Sequence, residues 1–211
     1  MTDAMLLQVH DLAFSYPGRS LWAGWSHGWR AGAGLVRGGD GAGKTTLLRL
    51  LAGQLAPARG RLVLGGVERV AQPEAYRRQV FWMDPRAPGL PAQPGLTPAQ
   101  WLQTLPARHP LWNAEALQAH ADGWELAPHL AKPFHALSTG TQRKIFMAAA
   151  LASGAPLTLI DEPVAGLDRP SIQYLQQALG ALAGARDRLV IVAHYEALPG
   201  VEWSSTVDLP D

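Results

Sequence analysis

The feature that most constrains the fold of this chain is the segment 38–45, with the sequence GGDGAGKT. It fits the pattern G-x-x-x-x-G-K-[ST], in which backbone N–H groups close around phosphate oxygens. The apolar pair Leu35-Val36 before it is typical of a buried strand, and the leucine-rich run 46–52 after it of a helix. This order places phosphates at a helix N-terminus, where anions are favoured. The alternative, a glycine-rich turn before an ordinary helix, explains neither the lysine nor the hydroxyl.

The loop predicts individual roles. Lys44 is expected to reach the β- and γ-phosphates of a nucleotide, and the Thr45 hydroxyl to ligate Mg²⁺. The glycines are expected to allow positive φ angles, which residues with a Cβ rarely adopt. The candidate nucleotide-binding residues of the loop and its helix are Gly38, Gly39, Asp40, Gly41, Ala42, Gly43, Lys44, Thr45 and Thr46.

Apolar runs that alternate with helical patterns make up most of the chain. Strands are predicted at 6–16, 61–66, 80–83, 157–160 and 189–193, and helices from the N-cap Ser138 to about residue 152 and at 171–182. Short, continuously apolar strands are typical of parallel sheets that are covered on both faces by helices. We therefore predict an α/β fold with a mostly parallel sheet.

The character of the sequence changes after Asp84. Prolines, which do not fit helix interiors or central strands, cluster here at Pro85, Pro88, Pro91, Pro94 and Pro98. Helical patterns follow at 99–105, 114–121 and 124–131. We interpret residues 86–136 as a helical lobe inserted into one domain, whose core is formed by residues 1–85 and 137–211.

Composition limits the classes of function. With 211 residues, 47% of them hydrophobic and 17% charged, the chain has material for one substantial core. A net charge of +1 gives no sign of a nucleic-acid partner, and the lack of cysteine excludes disulfides and thiolate metal sites. Neither a signal peptide nor an apolar run of membrane-spanning length is expected, so a membrane role would come through a partner.

Two carboxylates follow the predicted strand 157–160. Asp161 is a candidate Mg²⁺ ligand, and Glu162 a candidate catalytic base that accepts a proton from the attacking water or orients it. Adjacent residues on a strand point to opposite sides, so the two acids can take separate roles. His194, at the end of the strand 189–193, is a candidate catalytic residue that hydrogen-bonds the γ-phosphate. Taken alone, these residues would fit an acidic surface pair and a loop histidine.

Segment 137–143, LSTGTQR, lies between the phosphate loop and the paired acids, and segment 164–168, VAGLD, follows the acids. In this order the motifs resemble those of the ATP-binding cassette (ABC) ATPases, the motor subunits of ABC transporters. Segment 137–143 is similar to the family's signature loop and segment 164–168 to its D-loop. The resemblance implies a P-loop NTPase cassette with a mostly parallel core, an antiparallel β part and an inserted helical lobe.

The resemblance also implies roles and partners. Tyr16 would stack on adenine, and the signature residues Ser138, Thr139, Gly140 and Thr141 would act on ATP bound to a second cassette. Asp168 would belong to the D-loop. ATP and Mg²⁺ are the implied cofactors, and integral membrane transporter subunits are the implied partners, which places the chain in the cytoplasm on the inner face of the membrane. Both a homodimer and a heterodimer of cassettes remain open.

Three positions depart from the family pattern. Thr139 replaces a glycine and Thr141 a glutamine, and because β-branched residues resist positive φ, the signature loop is expected to differ in shape. Asp84 stands at the Q-loop position, where the family has glutamine; a carboxylate is shorter and adds charge, but is still able to ligate Mg²⁺. Two alternative functions remain: a soluble ABC-type ATPase of translation or DNA repair, and a weakly hydrolysing nucleotide-sensing module.

Overall fold

The computed structural model describes residues 5–84 and 95–210. The prolines at 85, 88, 91 and 94 and the predicted first part of the helical lobe, 86–94, lie outside the described residues. All motifs named above fall within them.

The described chain contains nine strands and six α-helices. The strands are β1 (Leu7–Tyr16), β2 (Arg19–Trp29), β3 (Gly32–Arg37), β4 (Arg59–Leu64), β5 (Val67–Glu68), β6 (Val80–Trp82), β7 (Leu157–Asp161), β8 (Leu189–His194) and β9 (Trp203–Asp208). The helices are α1 (Lys44–Leu51), α2 (Pro73–Arg78), α3 (Pro98–Thr104), α4 (Ala114–Gly123), α5 (Thr139–Ala152) and α6 (Arg169–Gly180). Short 3₁₀ helices lie at Ala127–His129 and Phe134–Ala136.

The strands form two sheets. The five-stranded sheet has the order β6-β7-β8-β3-β9 and is parallel at every pairing, and the four-stranded sheet has the order β2-β1-β4-β5 and is antiparallel. The predicted α/β fold with a parallel core and an antiparallel part is therefore confirmed. The sequence did not predict β2, in which Gly24 at φ 114° accompanies a shift of register against β1 and interrupts the alternation of side chains.

Side-chain alternation along the parallel strands sorts the core into two clusters. Leu189 and Ile191 of β8 face α1 and the antiparallel sheet, whereas Val190 and Val192 face α5, α6 and the helices of the 95–136 region. Both faces of this sheet are thus covered by apolar side chains, which explains why β7 and β8 read as unbroken apolar runs. Because β6, β7 and β8 are parallel neighbours, their carboxyl ends lie together at one edge of the sheet.

Helix α4 packs against α6 at a contact that we call the lobe joint, formed by His120, Gly123 and Trp124 of α4 and Ser171 and Tyr174 of α6. The Trp124 indole N–H donates to the Ser171 carbonyl at 3.1 Å, and the His120 Nδ1 lies 3.0 Å from the Tyr174 hydroxyl. Gly123 is required here, because a Cβ would overlap the Tyr174 ring. The joint fixes α4 to the helix that follows the D-loop.

The helix predicted at 124–131 is wrong. Trp124 is the C-cap of α4, and only Ala127–His129 forms a 3₁₀ turn. Glu125 adopts a left-handed φ of 52°, and Pro128 lacks the N–H that a continuing helix needs. Throughout residues 5–84 and 95–210, none of the helices is long and apolar enough to span a bilayer.

Candidate nucleotide-binding site

The phosphate loop connects β3 to α1 at the carboxyl edge of the parallel sheet. Gly41 and Gly43 have φ angles of 84° and 100°, which confirms the expectation that glycines here take left-handed conformations. Gly38 is also constrained, because a Cβ would lie 2.9 Å from the Cβ of Ala42. The loop and Glu162 line a cavity of about 140 Å³ at the N-terminus of α1. This is the local geometry that main-chain anion binding requires.

Lys44 is held at the centre of the loop. Its ammonium group donates to the carbonyl oxygens of Gly38 at 2.8 Å and Gly39 at 2.9 Å, and lies 3.1 Å from a carboxylate oxygen of Glu162. The side chain is 7% exposed. The two loop carbonyls carry no formal charge and Glu162 only partly compensates the buried ammonium, so phosphate oxygens would be strong competing partners for it.

Thr45 and Asp161 meet where α1 passes the end of β7. The Thr45 hydroxyl donates to Asp161 at 2.6 Å, and both side chains are buried. A hydroxyl and one carboxylate suit Mg²⁺, which usually keeps several waters and binds substrate phosphates. The described residues hold no group of three or more His, Asp or Glu side chains that would bind a metal ion on its own. The donor set thus fits a metal ion shared with a phosphate.

Glu162 and His194 come together because β7 and β8 are neighbours in the sheet. The His194 Nδ1 lies 2.7 Å from one Glu162 carboxylate oxygen, and the other faces Lys44. Glu162 has a left-handed φ of 44°, and its N–H donates to the carbonyl of Ala193 on β8. Left-handed backbone at a non-glycine residue persists only where surrounding contacts enforce it. Here those contacts turn the carboxylate toward the loop.

Tyr16 lies at the end of β1, beside the start of α1. Its hydroxyl is 3.3 Å from the Thr46 hydroxyl, and its ring meets Phe14 edge-on with centroids 5.1 Å apart. The side chain is 41% exposed, which leaves part of the ring accessible next to the phosphate loop. The structure thus brings Tyr16 close to the predicted phosphate-binding residues.

The signature segment forms the N-terminus of α5. Ser138 is the N-cap and accepts a hydrogen bond from the Thr141 N–H, and the two hydroxyls are 2.9 Å apart. Thr139 is the first helical residue. Neither threonine has a positive φ, in keeping with the resistance of β-branched residues to that conformation. Both threonines fit a capped helix start, and a difference in shape from the family's signature loop stays a prediction.

The signature segment also contacts the D-loop of the same chain. A Cβ on Gly140 would overlap the carbonyl oxygen of Gly166, so glycine is needed there for a reason internal to the chain. Asp168 ends the D-loop as the N-cap of α6 and accepts a hydrogen bond from the Ser171 N–H at 2.9 Å. Hydrogen bonding from Ser171 lowers the pKa of the Asp168 carboxyl.

Two arginines near the site, Arg49 and Arg143, had no role predicted from the sequence, although Arg143 ends the signature segment 137–143. Arg49, one turn after Thr45 on α1, binds Asp84 through its Nε at 2.6 Å, and this hydrogen bond raises the pKa of the guanidinium. Arg143 of α5 lines a cleft of about 200 Å³ together with Asp84 and Asp161. Burial lowers the pKa of Arg143, while the charges of Glu162 and Asp161 act in the opposite direction. The i, i+4 spacing places Arg49 on the same face of α1 as Thr45, but no local sequence pattern indicates its pairing with Asp84.

Comparison with known proteins decides the family. The family model described as ABC transporter matches residues 31–165, a span that contains the phosphate loop, the signature segment and both acids. The chain belongs to the ABC transporter family. It is an ATP-binding subunit of that family and an ATPase, as the sequence predicted.

Curated relatives and solved structures agree with this assignment. The cytochrome c biogenesis ATP-binding export protein CcmA of Pseudomonas savastanoi pv. phaseolicola is 35% identical over 160 residues, 76% of this chain and 74% of the relative. The CcmA protein of Paramagnetospirillum magneticum is 31% identical over 204 residues, 96% and 94% of the two chains. A solved ATP-binding subunit of an ABC transporter superposes with a TM-score of 0.77 at 26% identity, covering 90% of this chain and 79% of the other.

Within this cassette, the structure groups the predicted residues into two sets. The phosphate loop, both acids, His194 and Tyr16 lie around the N-terminus of α1, and Asp84 lies at the neighbouring strand end. The signature residues Ser138, Thr139, Gly140 and Thr141 lie at the N-terminus of α5, beside the D-loop. The hydrogen bonds between Ser138 and Thr141 lie within the signature segment. Gly140 of this segment contacts Gly166 of the D-loop.

Proposed function

We propose that this cassette hydrolyses ATP at an interface between two cassettes and thereby drives integral membrane subunits of an ABC exporter. The observation that carries the proposal is the Glu162 carboxylate, which is fixed between Lys44 and His194 at the mouth of the phosphate loop. A carboxylate aimed at the terminal phosphate position is what activation of water requires.

The phosphates of ATP would bind across the loop, with the main-chain N–H groups at 39–46 as donors. Lys44 would exchange its contacts with loop carbonyls for the β- and γ-phosphate oxygens. The exchange is favourable because an ammonium–phosphate hydrogen bond joins two charges, whereas the present carbonyl contacts join a charge to a dipole. Tyr16, half exposed beside Thr46, would stack its ring on the adenine.

Thr45 and Asp161 would hold Mg²⁺ together with phosphate oxygens and water. The metal ion would supply neutralisation of phosphate charge. The protein's part is to keep one hydroxyl and one carboxylate oxygen at the same point, and the 2.6 Å hydrogen bond between these side chains supports that role. Asp161 is also the last residue of β7, so the sheet fixes its position.

Glu162 would accept the proton of the attacking water as the water oxygen forms its bond to the γ-phosphorus and the bond to the ADP oxygen breaks. His194 orients this carboxylate through the 2.7 Å hydrogen bond, and its N–H would donate to the γ-phosphate where the bound nucleotide replaces that bond. With its side chain only 3% exposed, the imidazole is held firmly against Glu162.

The signature residues would complete the site of a second cassette. Ser138 and Gly140 lie at the N-terminus of α5, which is suited to binding a γ-phosphate presented by another chain. The partner is a second copy of this chain or a different cassette. Attachment to membrane subunits would place the protein on the cytoplasmic face, and export is supported by the relatives, which are named export proteins.

The experiment uses the Glu162→Gln variant, which should bind ATP without cleaving it. In sedimentation analysis, Mg·ATP should convert this variant from monomer to dimer, whereas ADP should not. Adding Lys44→Ala to the same chain is the control and should abolish the effect. A variant that binds Mg·ATP but stays monomeric would contradict the homodimer; dimer formation only with a second cassette from the same membranes would establish the heterodimer.

Transport is tested by copurification from membranes. An integral membrane partner should copurify with the wild-type cassette and increase its ATPase rate. Family membership and the relatives favour this function over a soluble role in translation or DNA repair. ATP binding without phosphate release, even with the membrane partner present, would instead support the nucleotide-sensing module that Asp84, Thr139 and Thr141 suggest.

A further inference from the structure

The hairpin formed by β1 and β2 lies against the phosphate loop and the start of α1. Its two-residue turn places Tyr16 and Arg19 opposite each other in the register. The Tyr16 hydroxyl is 3.3 Å from that of Thr46, and a Cβ on Gly43 would lie 3.3 Å from the Trp22 ring. These contacts hold the first residues of β2 beside the loop.

Arg19 extends from this hairpin toward the phosphate loop. Its Nη1 lies 3.8 Å from the point where a Cβ of Gly41 would stand. The side chain is exposed, and in the described part of the chain no carboxylate forms an ion pair with it. A guanidinium without a carboxylate partner keeps its donors for a ligand, and phosphate oxygens match their planar arrangement. Arg19 is therefore a cation available next to the loop.

The charges that line the loop cavity favour a second cation. Asp40 and Glu162 contribute two carboxylates, and among the described lining residues Lys44 is the one cation. A triphosphate would add further negative charge to this cavity, and like charges at short distance repel. Arg19 lies beside Gly41, the chain neighbour of Asp40, so its guanidinium would offset part of that repulsion.

We propose that Arg19 is a phosphate-binding residue of this cassette, which the β1–β2 hairpin brings to the polyphosphate of ATP. The inference rests on the proposed function and adds a residue to its site. Arginine binds phosphate through two parallel N–H donors, which a lysine cannot reproduce. Tyr16, opposite Arg19 in the same hairpin, would contact the adenine, so that one hairpin serves both parts of the nucleotide.

The test separates the phosphates from the base by using two ligands. Calorimetry measures the binding of a nonhydrolysable ATP analogue and of inorganic triphosphate, each with Mg²⁺. Arg19→Gln should weaken both by a similar factor, about tenfold at low salt, which is the lower end for a charged hydrogen bond. Tyr16→Ala should weaken the ATP analogue but leave inorganic triphosphate within about twofold. The loss in Arg19→Gln should shrink at high salt, because an exposed charge is screened.

Arg61→Gln is the matched control. Arg61 is an exposed arginine of the same antiparallel sheet, on β4, and its substitution should leave the affinity for both ligands unchanged. Arg19→Lys keeps the charge without the planar fork and should recover part of the lost affinity. All of the arginine variants should keep the wild-type thermal midpoint, so that weaker binding cannot arise from unfolding.

The other outcomes separate this proposal from the proposed function. A loss confined to the ATP analogue would assign Arg19 to the ribose or the base and overturn its phosphate role. Equal losses in Arg19→Gln and Arg61→Gln would reflect net charge alone and would also overturn it. If Arg19→Gln bound both ligands as tightly as the wild type, this proposal would fail and the proposed function would stand. A wild-type chain that bound neither ligand would overturn both.

Discussion

Two histidines in different regions of the cassette, His194 buried and His120 partly buried, each contact one side-chain oxygen but have different roles. His194 bonds the Glu162 carboxylate at the edge of the parallel sheet, beside Lys44. His120 bonds the Tyr174 hydroxyl in the lobe joint, where its ring also meets Trp124 with centroids 6.0 Å apart. One neighbourhood is charged and open toward a cavity, whereas the other is aromatic and closed.

The neighbours decide what each histidine does. Burial, and then the charge of Arg188, lower the pKa of His120 to about 4, so it stays neutral at physiological pH. A neutral imidazole among aromatic rings packs α4 against α6. His194 instead faces a carboxylate that the main chain turns toward the phosphate loop. We call the carboxyl edge of the parallel sheet with Lys44, Glu162 and His194 the nucleotide edge. Substitutions there should reduce ATP binding or hydrolysis without lowering the stability of the fold. Substitutions in the lobe joint should lower the stability of the fold without removing a group that acts on ATP.

The largest expected effect is on turnover. Glu162→Gln should reduce the ATPase rate by about 10²- to 10⁴-fold, the usual contribution of a positioned base. Its thermal midpoint should stay close to that of the wild type, because the amide keeps the shape of the carboxylate. The measurement is phosphate release, with the exposed Glu202→Gln as a control that should not change it. Turnover at the wild-type rate would remove Glu162 from the role of base.

Lys44→Ala should act on nucleotide binding. Hydrogen bonds between charged groups contribute about 1.5–3 kcal/mol, so the loss predicts about 10- to 100-fold weaker ATP binding by calorimetry. Lys132→Ala, at an exposed position, is the matched control. If Lys44→Ala bound ATP as tightly as wild type, the phosphate loop would have been misinterpreted.

The nucleotide edge was predictable from sequence, and the lobe joint was not. Residues 38–45 follow a spacing that main-chain phosphate binding imposes, and Asp161, Glu162 and His194 each end an apolar strand, so local patterns located them. Gly123 and Tyr174 meet although they lie far apart in the chain, and no local pattern indicates that contact. The same limit applies to Arg49 and Asp84, whose pairing depends on how α1 lies relative to the segment that follows β6.

The lobe joint is tested by two glycines that each end a helix. Gly123→Ala should lower the free energy of unfolding by about 1–3 kcal/mol, because its Cβ would overlap the Tyr174 ring. Gly180→Ala is the control: a Cβ there meets nothing within 4 Å, so the midpoint should hold or rise slightly. Urea unfolding measures both. Equal midpoints for the two variants would show that α4 does not pack on α6 as described.

The smallest effect expected is a pH dependence that arises at His120. Its pKa is about 4 in the folded chain and near 6.5 when unfolded, so between these values the unfolded chain binds the proton more readily. Stability should therefore fall as the pH drops from 7 to 5, by a few degrees in the thermal midpoint. His120→Gln cannot take up this proton and should show a flatter pH profile than wild type. Parallel profiles for the two chains would mean that the pKa of His120 is not lowered by folding, and the contact between α4 and α6 would then be more open to solvent than described.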